Sequence, residues 1–552
     1  MKKSKLDRIP GLVPELLERI ATFTTCSRDI FSFLRAFPLT MLTEPLKALV
    51  ELLIAARKQR VGIQSSDLFY HVWPNFELPY EINDPYIIEL IKKAIVLISV
   101  KRIDDVDVSI NYPLPANTKF KLNLIDTARQ LECAMDKWYH RIQTMQINFC
   151  FLQKAEVENL CVAIATLPAL NQLSLWFFSD DTAPYQKELI NALAKSNVTR
   201  FQLHYFENEV DWDIETTKTF ASWIVEKPVT SIRLHDVMLE DDCTEILING
   251  FLASTTVTCF ELSEFLLGQF YSMARVIPST LKSLHVDLNG DDGFENLSTL
   301  IQNSQIQSLD LSGEPSAISN PSEDDSNTVC DLTIKEFWTC TLRGLHKLRK
   351  LTIQRQSMGE ECCQGIAAVL PQLVELCLDD TGINDHGVDI IAQAIPGCKR
   401  LEKLSLANNG LSYASAVSLS QVIPQCTTLK TLNLAGNCIS SIGVYALCPV
   451  LKYLDEVDLA ENEIGSDGAT AISKVIPQIN RMHILNLKKN MMKIKGVLQI
   501  IEALSESPHR QGYVNLSETF EEEHYTKCER ALEKLQDKSC CYIAPTEYDW
   551  DD

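Results

Sequence analysis

The sequence predicts an α/β solenoid, a horseshoe with parallel strands on the concave face and helices on the convex face, preceded by a small helical N-terminal region. Three observations predict it. Four asparagines, Asn409, Asn437, Asn462 and Asn490, recur at separations of 28, 25 and 28 residues. Each closes a short segment whose apolar residues alternate, as Leu404 and Leu406 do in LEKLSLANNGLS (401–412), which is strand spacing. Each is followed by apolar residues three and four apart, which is helix spacing. Self-similarity at this period means stacked coils that share one core.

Each position has a physical role. Leu404 and Leu406 point inward from a strand, and Ser405 between them points out to the concave surface. The chain then turns toward the next coil, and the turn leaves backbone groups out of reach of water. A buried asparagine side chain both donates and accepts, so stacked asparagines can satisfy those groups. Leu411 and its equivalents close the core. LKTLNLAGNCIS (429–440), LDEVDLAENEIG (454–465) and MHILNLKKNMMK (482–493) repeat the scheme. The helical half is plain in 383–398, where Val388, Ile391, Ala392 and Ile395 share a face. Pro396, Pro424 and Pro477 are expected to stop the helices. The pattern L-x-x-L-x-L-x-x-N-x-L is that of a leucine-rich repeat. A strand plus a full helix in about 28 residues resembles the ribonuclease-inhibitor class, most clearly over 373–516.

Strand cores continue toward the N-terminus. Met145, Leu173, Phe201, Ile232, Phe260, Leu284, Leu309, Leu351 and Leu376 follow at steps of 28, 28, 31, 28, 24, 25, 42 and 25. The long step holds 313–331, rich in Ser, Pro, Asn and acid, which reads as a flexible loop inserted between two coils. RIDDVDV (102–108) reads as an earlier, irregular strand and YVNLSETF (513–520) as a last one. The predicted organisation is a helical segment over 1–50, a helical and aromatic connector and cap over 51–101, the solenoid over 102–520, and a C-terminal helix with an acidic tail over 521–552.

The N-terminal segment differs in kind. Within 8–38, Leu16, Leu17, Ile20 and Phe23 make one apolar stripe, and Ile30, Phe33, Leu34 and Phe37 make a second. Val13, Pro14, Glu15, Leu16, Leu17, Ile20, Asp29 and Ile30 follow the order of an F-box, with Val13 in place of the usual leucine. FLRAFP stands where many F-boxes close with cysteine–arginine. The layout resembles the F-box leucine-rich-repeat family. That resemblance implies a substrate receptor of an SCF-type ubiquitin ligase, with Pro14, Leu17, Ile20 and Ile30 docking on a Skp1-like adaptor. A plain helical cap on the first coil is the alternative reading of the same residues.

Composition narrows the function. Lys and Arg number 51 against 73 Asp and Glu, a net charge of −22 in 552 residues. Nucleic-acid binding needs clustered positive charge and is not expected; a basic protein client suits an acidic solenoid. The start MKKSKLDRIPGLVPELL has no uninterrupted apolar run, and no apolar stretch is long enough to span a membrane. A cytoplasmic or nuclear location is expected, with the 18 cysteines as reduced thiols, the vicinal pairs Cys362–Cys363 and Cys540–Cys541 included.

No nucleotide-binding, zinc-hydrolase or nucleophile-elbow motif occurs. DLNGDDG (287–293) fails as a calcium loop, since Asp292 and Ser298 occupy its sixth and twelfth positions. No catalytic, cofactor or metal residues are assigned. The partner-binding candidates are outward strand positions in the early coils: Trp176, Phe177, His204, Tyr205, Arg233 and His235, because aromatics and arginine anchor protein interfaces. Phe178 and Phe206 stand there in place of the ladder asparagine. The expected function is non-enzymatic protein binding, as a monomer within a larger complex. A ribonuclease-inhibitor-like scaffold or inhibitor is the alternative. A RanGAP-like GTPase activator ranks last, because the acidic tail of that family is reduced here to EYDWDD.

Overall fold

The structure is a computed structural model. It describes residues 42–543 together with Leu34, except 59–74, 79–84, 95–98, 104–119, 125–134, 137–138, 150–153, 179–184, 206–211, 236, 238, 264–271, 273–276, 288–292, 303, 313–336, 357, 480–481, 508–512, 522–523 and 536–540. The chain forms two compact units, Met1–Thr256 and Val257–Asp552.

In the first unit the described strands are β1 (Asn75–Leu78), β2 (Ser99–Ile103), β3 (Phe120–Leu124), β4 (Ile142–Phe149), β5 (Gln172–Phe177), β6 (Arg200–Tyr205) and β7 (Ser231–His235). Each runs parallel to its predecessor. Helices Lys154–Thr166, Gln186–Lys195, Ile214–Glu226 and Asp241–Ala253 follow β4 to β7 in turn. The inner row Met145, Leu173, Phe201, Ile232 is in register across four strands and fully buried. Aromatics fill the space that leucines fill in regular coils. Phe201 packs on Phe220 and Trp223, with ring centroids 5.6 and 5.9 Å away. The last two helices of the unit approach closely, because a Cβ on Gly250 would stand 2.8 Å from Ala221 Cβ. Burial of these large rings is the main stabilising term here.

The second unit contains β8 (Cys259–Ser263), β9 (Ser283–Asp287), β10 (Ser308–Ser312), β11 (Lys350–Gln354), β12 (Glu375–Asp379), β13 (Lys403–Ser405), β14 (Thr431–Asn433), β15 (Glu456–Asp458), β16 (Ile484–Asn486), β17 (Tyr513–Asn515) and β18 (Cys541–Tyr542). All pair in parallel with their neighbours in sequence order. The inner row runs through Phe260, Leu284, Leu309, Leu351, Leu376, Leu404, Leu432, Val457, Leu485 and Val514 in direct register. Leu309 faces Leu351 although 42 residues separate them, so the insertion leaves the ladder intact. Residues 313–331 themselves lie outside the described residues.

The asparagine ladder forms as expected. Asn437 donates to the carbonyls of Leu406 (3.0 Å) and Leu434 (2.9 Å), and its Oδ1 accepts from the N–H groups of Asn409 and Leu411 (both 3.0 Å). Asn462 and Asn490 do the same one and two coils later. Thr381 starts the ladder by donating from its N–H to Asn409 Oδ1 (2.9 Å). Thr381, Asn437, Asn462 and Asn490 are buried and Asn409 is half-buried, so most of these bonds answer a donor or acceptor that water cannot reach. The prolines end the helices less abruptly than expected. Helices Asp385–Ala394, Tyr413–Val422 and Ser466–Val475 each tighten into a 3-10 turn whose second residue is Pro396, Pro424 or Pro477. Proline there lacks an N–H in a position where the tighter turn does not need one.

Three strands were not legible. The aromatic connector contains β1, which pairs with β2 in register Asn75↔Ser99. The irregular strand expected at 102–108 is β2, displaced to Ser99–Ile103. β3, FKLNL, alternates as a strand should but was not placed in the repeat frame, and β18 is only two residues long.

Candidate protein-binding faces

Outward strand positions are the residues between inward-pointing ones, and burial identifies them coil by coil. On β5 the inward row is Leu173, Leu175 and Phe177, and on β6 it is Phe201, Leu203 and Tyr205. Phe177 and Tyr205 therefore correct the sequence reading. Both are only 3% exposed and turned inward. The strands simply run one residue pair longer than the frame assumed, so alternation continues to their ends. Phe149, Phe177 and Tyr205 stack through the core at centroid distances of 4.4 and 5.0 Å. Burial pushes the Tyr205 phenol well above its ordinary pKa, with the neighbouring Trp212 indole opposing the shift.

Trp176, His204 and His235 do face outward, and parallel register brings them side by side. The Trp176 ring stacks on His204 at 4.2 Å, and His204 stacks on His235 at 3.9 Å. Gln202 Nε2 lies 2.6 Å from His204 Nε2, and Ser174 Oγ reaches Gln202 Oε1 at 3.4 Å. Arg233 is exposed beside the column. The outward positions of these three strands contain no carboxylate; Arg200 and Arg233 are their charged members. The result is a flat, rigid, mixed aromatic and imidazole strip, already ordered by stacking.

A second cluster lies on the second unit. On β9 and β10, His285 Nδ1 lies 3.2 Å from Asp310 Oδ2, and His285 Nε2 lies 3.0 Å from Ser312 Oγ. The buried Glu261 sits opposite His285 in register. The cluster joins side chains from adjacent strands in register, which the spacing within one strand does not disclose. The bonding order is that of a nucleophile, base and orienting acid. However, β10 pairs on both sides, so its N–H groups serve the sheet ladder instead of aiming at a developing oxyanion. The arrangement holds the His285 imidazole between Asp310 and Ser312.

The outward face of β12 to β17 is different again. Asp379 Oδ1 accepts from Ser405 Oγ (2.6 Å) and the Ala407 N–H (2.8 Å), and Asn433 donates to Ser405 Oγ (2.9 Å). Asp458 accepts from Asn486 and from the Ala460 N–H, both at 2.9 Å. Burial raises the Asp458 carboxyl above its ordinary pKa, against the pull of those two donors. Burial also acts on Glu375, but Lys350 and Lys403 at 2.8 and 3.3 Å outweigh it and hold its pKa low.

The adaptor-docking candidates Pro14, Leu17, Ile20 and Ile30 lie outside the described residues. Among the described residues, no group of His, Cys, Asp and Glu side chains is placed to hold a metal ion. No helix among them is long and apolar enough to cross a membrane. Cys362 and Cys363 are buried free thiols, and burial with the neighbouring Cys362 pushes Cys363 up to about 12.

Residues 425–448 and 450–473 match a family model described as Leucine Rich repeat. No curated protein matches the chain. Among solved structures, an internalin from Listeria monocytogenes shares 17% identity, covering 63% of this chain and 82% of its own, with a TM-score of 0.33. The tropomodulin C-terminal domain of Caenorhabditis elegans shares 18% identity over 27% of this chain and 93% of its own, with a TM-score of 0.24. The fold is a leucine-rich-repeat solenoid.

Proposed function

We propose that this protein is a non-enzymatic binding solenoid that holds a protein client on the outward strand face of its first unit. The observation that carries this reading is the Trp176–His204–His235 column with Arg233 at its side. Nothing in the sheet requires large rings at outward positions, and aromatic and arginine side chains are the usual anchors of protein interfaces. The net charge of −22 attracts a basic client at long range, whereas the contact strip itself carries arginines and imidazoles. The test is quantitative affinity purification of the full chain against a Trp176→Ala, Arg233→Ala variant. Loss of specific partners from the variant supports the reading, and an unchanged partner set overturns it.

A narrower reading makes the chain a substrate receptor of an SCF-type ubiquitin ligase. It is supported by the F-box-like order of Val13, Pro14, Glu15, Leu16, Leu17, Ile20, Asp29 and Ile30 ahead of the repeats. Co-purification with a Skp1-like adaptor, abolished by Leu17→Asp, is the outcome it requires. Client capture without the adaptor favours a ribonuclease-inhibitor-like scaffold instead.

A further inference from the structure

The helical side of the second unit carries a patch that its core does not use. Helices Tyr413–Val422 and Ser440–Leu447 are neighbours, and neither contains a charged residue. Their inner faces are already buried through Ala416, Leu419, Val444 and Leu447. Four further apolar side chains face outward: Tyr413 at 50% exposure, Val417 at 36%, Ile442 at 61% and Tyr445 at 53%.

The patch is preformed. A Cβ on Gly443 would stand 3.0 Å from Ala416 Cβ and 3.2 Å from Tyr413 Cα, so glycine lets the two helices touch there. That contact brings the helix carrying Ile442 against the one carrying Tyr413. Tyr445 donates through its hydroxyl to the Asp467 carbonyl at 3.4 Å, which fixes the outer edge. The exposed side chains amount to roughly 400 Å², within the range where patches on monomers are often functional.

Charge selects the occupant. Asp385 and Asp389 border the patch on the preceding helix, and Asp467 borders it on the following one, where its carbonyl meets Tyr445. Ser412 and Ser415 donate to Asp385, and Ser418 donates to Asp389, which hold these carboxylates at the patch margin. Lys474 and Lys452 lie toward the opposite, C-terminal ends of their helices. His386 is turned toward Glu360, 3.8 Å away. A second copy of this chain would set one acidic rim against another, in molecules of net charge −22. An anionic membrane would be repelled in the same way.

We propose that Tyr413, Val417, Ile442 and Tyr445 dock an apolar helix flanked by lysine or arginine, supplied by another protein. Its apolar stripe would cover the two tyrosines and Ile442, and its cations would meet Asp389 and Asp467. This site is independent of the client strip on the first unit.

The probe is a fluorescein-labelled amphipathic leucine–lysine peptide, titrated with the full chain and followed by anisotropy. Saturable binding is expected. It should weaken at least tenfold for Ile442→Glu, and by a similar factor when glutamate replaces every lysine of the peptide. Tyr445→Glu should reproduce the loss, and circular dichroism should show both variants folded. Trp176→Ala, Arg233→Ala should leave peptide binding unchanged, so failure at either site is read separately. Absent binding, equal binding to Ile442→Glu, or equal binding of the glutamate peptide overturns the proposal. So does sedimentation showing a dimer of the wild-type chain that Ile442→Glu dissociates, because the occupant is then a second copy.

Discussion

The outward faces of β5–β7 and of β12–β16 use the same backbone geometry for opposite ends. On β12–β16 the outward side chains bond one another and the chain: Asp379 with Ser405 and Ala407, Asp458 with Asn486 and Ala460. Polar identity there serves the turn that leaves each strand. On β5–β7 the corresponding positions hold Trp176, His204 and His235, stacked at 4.2 and 3.9 Å. The inward rows beneath those rings are complete without them. Large rings at outward positions above a filled core are the residue type that anchors a protein partner, which is the reading proposed for them.

The largest effect lies in the regular region, beneath its surface. Asn462 is fully buried, donates to Leu434 and Ala460 carbonyls at 2.7 and 2.9 Å, and accepts from the Ile439 N–H at 3.2 Å. Asn462→Leu should destabilise the second unit by about 4 kcal/mol, since it strands three buried backbone groups. Urea unfolding measures this, and a loss under about 1 kcal/mol would mean the ladder is ornamental. Trp176→Ala should do the reverse of that pattern. It should lower client affinity by about 2–3 kcal/mol while changing stability by about 1 kcal/mol or less. The matched substitution Asn433→Ala should leave client affinity unaltered. If both variants bind alike, the contrast between the two faces is structural only.

The regular coils were legible because their constraints repeat. Asn409, Asn437, Asn462 and Asn490 each meet the same backbone demand, so period alone located them, and the inner leucines followed from alternation. The early coils lack the ladder asparagine, with Phe178 and Phe206 in its place, so no fixed residue marks where a strand stops. That is why Phe177 and Tyr205 were placed outward when both are buried. The Ser312–His285–Asp310 contact depends on register between strands, which no spacing within one strand discloses. The patch around Ile442 was hidden for a related reason. Helical spacing identifies a buried stripe, but not an apolar residue left over beside it.

A smaller effect tests how strictly the ladder turn is built. Residues flanking the ladder position adopt left-handed backbone: Asn408 and Gly410 around Asn409, Glu461 and Glu463 around Asn462. Glycine does this without strain, while an L side chain costs about 1 kcal/mol. Glu463→Gly should therefore stabilise the second unit by about 0.5–1 kcal/mol, read as a higher urea midpoint at unchanged slope. The strand face of the first unit should not respond.

The smallest effects concern pH, and two carboxylates of the second unit should act with opposite signs. Asp385 feels burial first, yet hydrogen bonds from Ser412 and Ser415 outweigh it and depress its pKa below the ordinary 3.8. Its contribution to stability is present above 3.8 and lost as pH falls through the depressed folded value. Asp458 is the converse: burial raises its folded pKa above 3.8, so ionisation opposes folding. Stability from this group is full below 3.8 and declines as pH rises through the raised folded value. Asp458→Asn keeps an oxygen for the Ala460 N–H while removing the buried charge. It should stabilise the protein at neutral pH and lose that advantage below 3.8, whereas Asp385→Asn should destabilise at neutral pH and converge with wild type in acid. Parallel urea titrations at both ends of this range decide it. If Asp458→Asn destabilises at neutral pH, the outward ladder of β12–β16 holds its carboxylates by attraction. Its polarity would then be as much a matter of charge as of hydrogen-bond geometry.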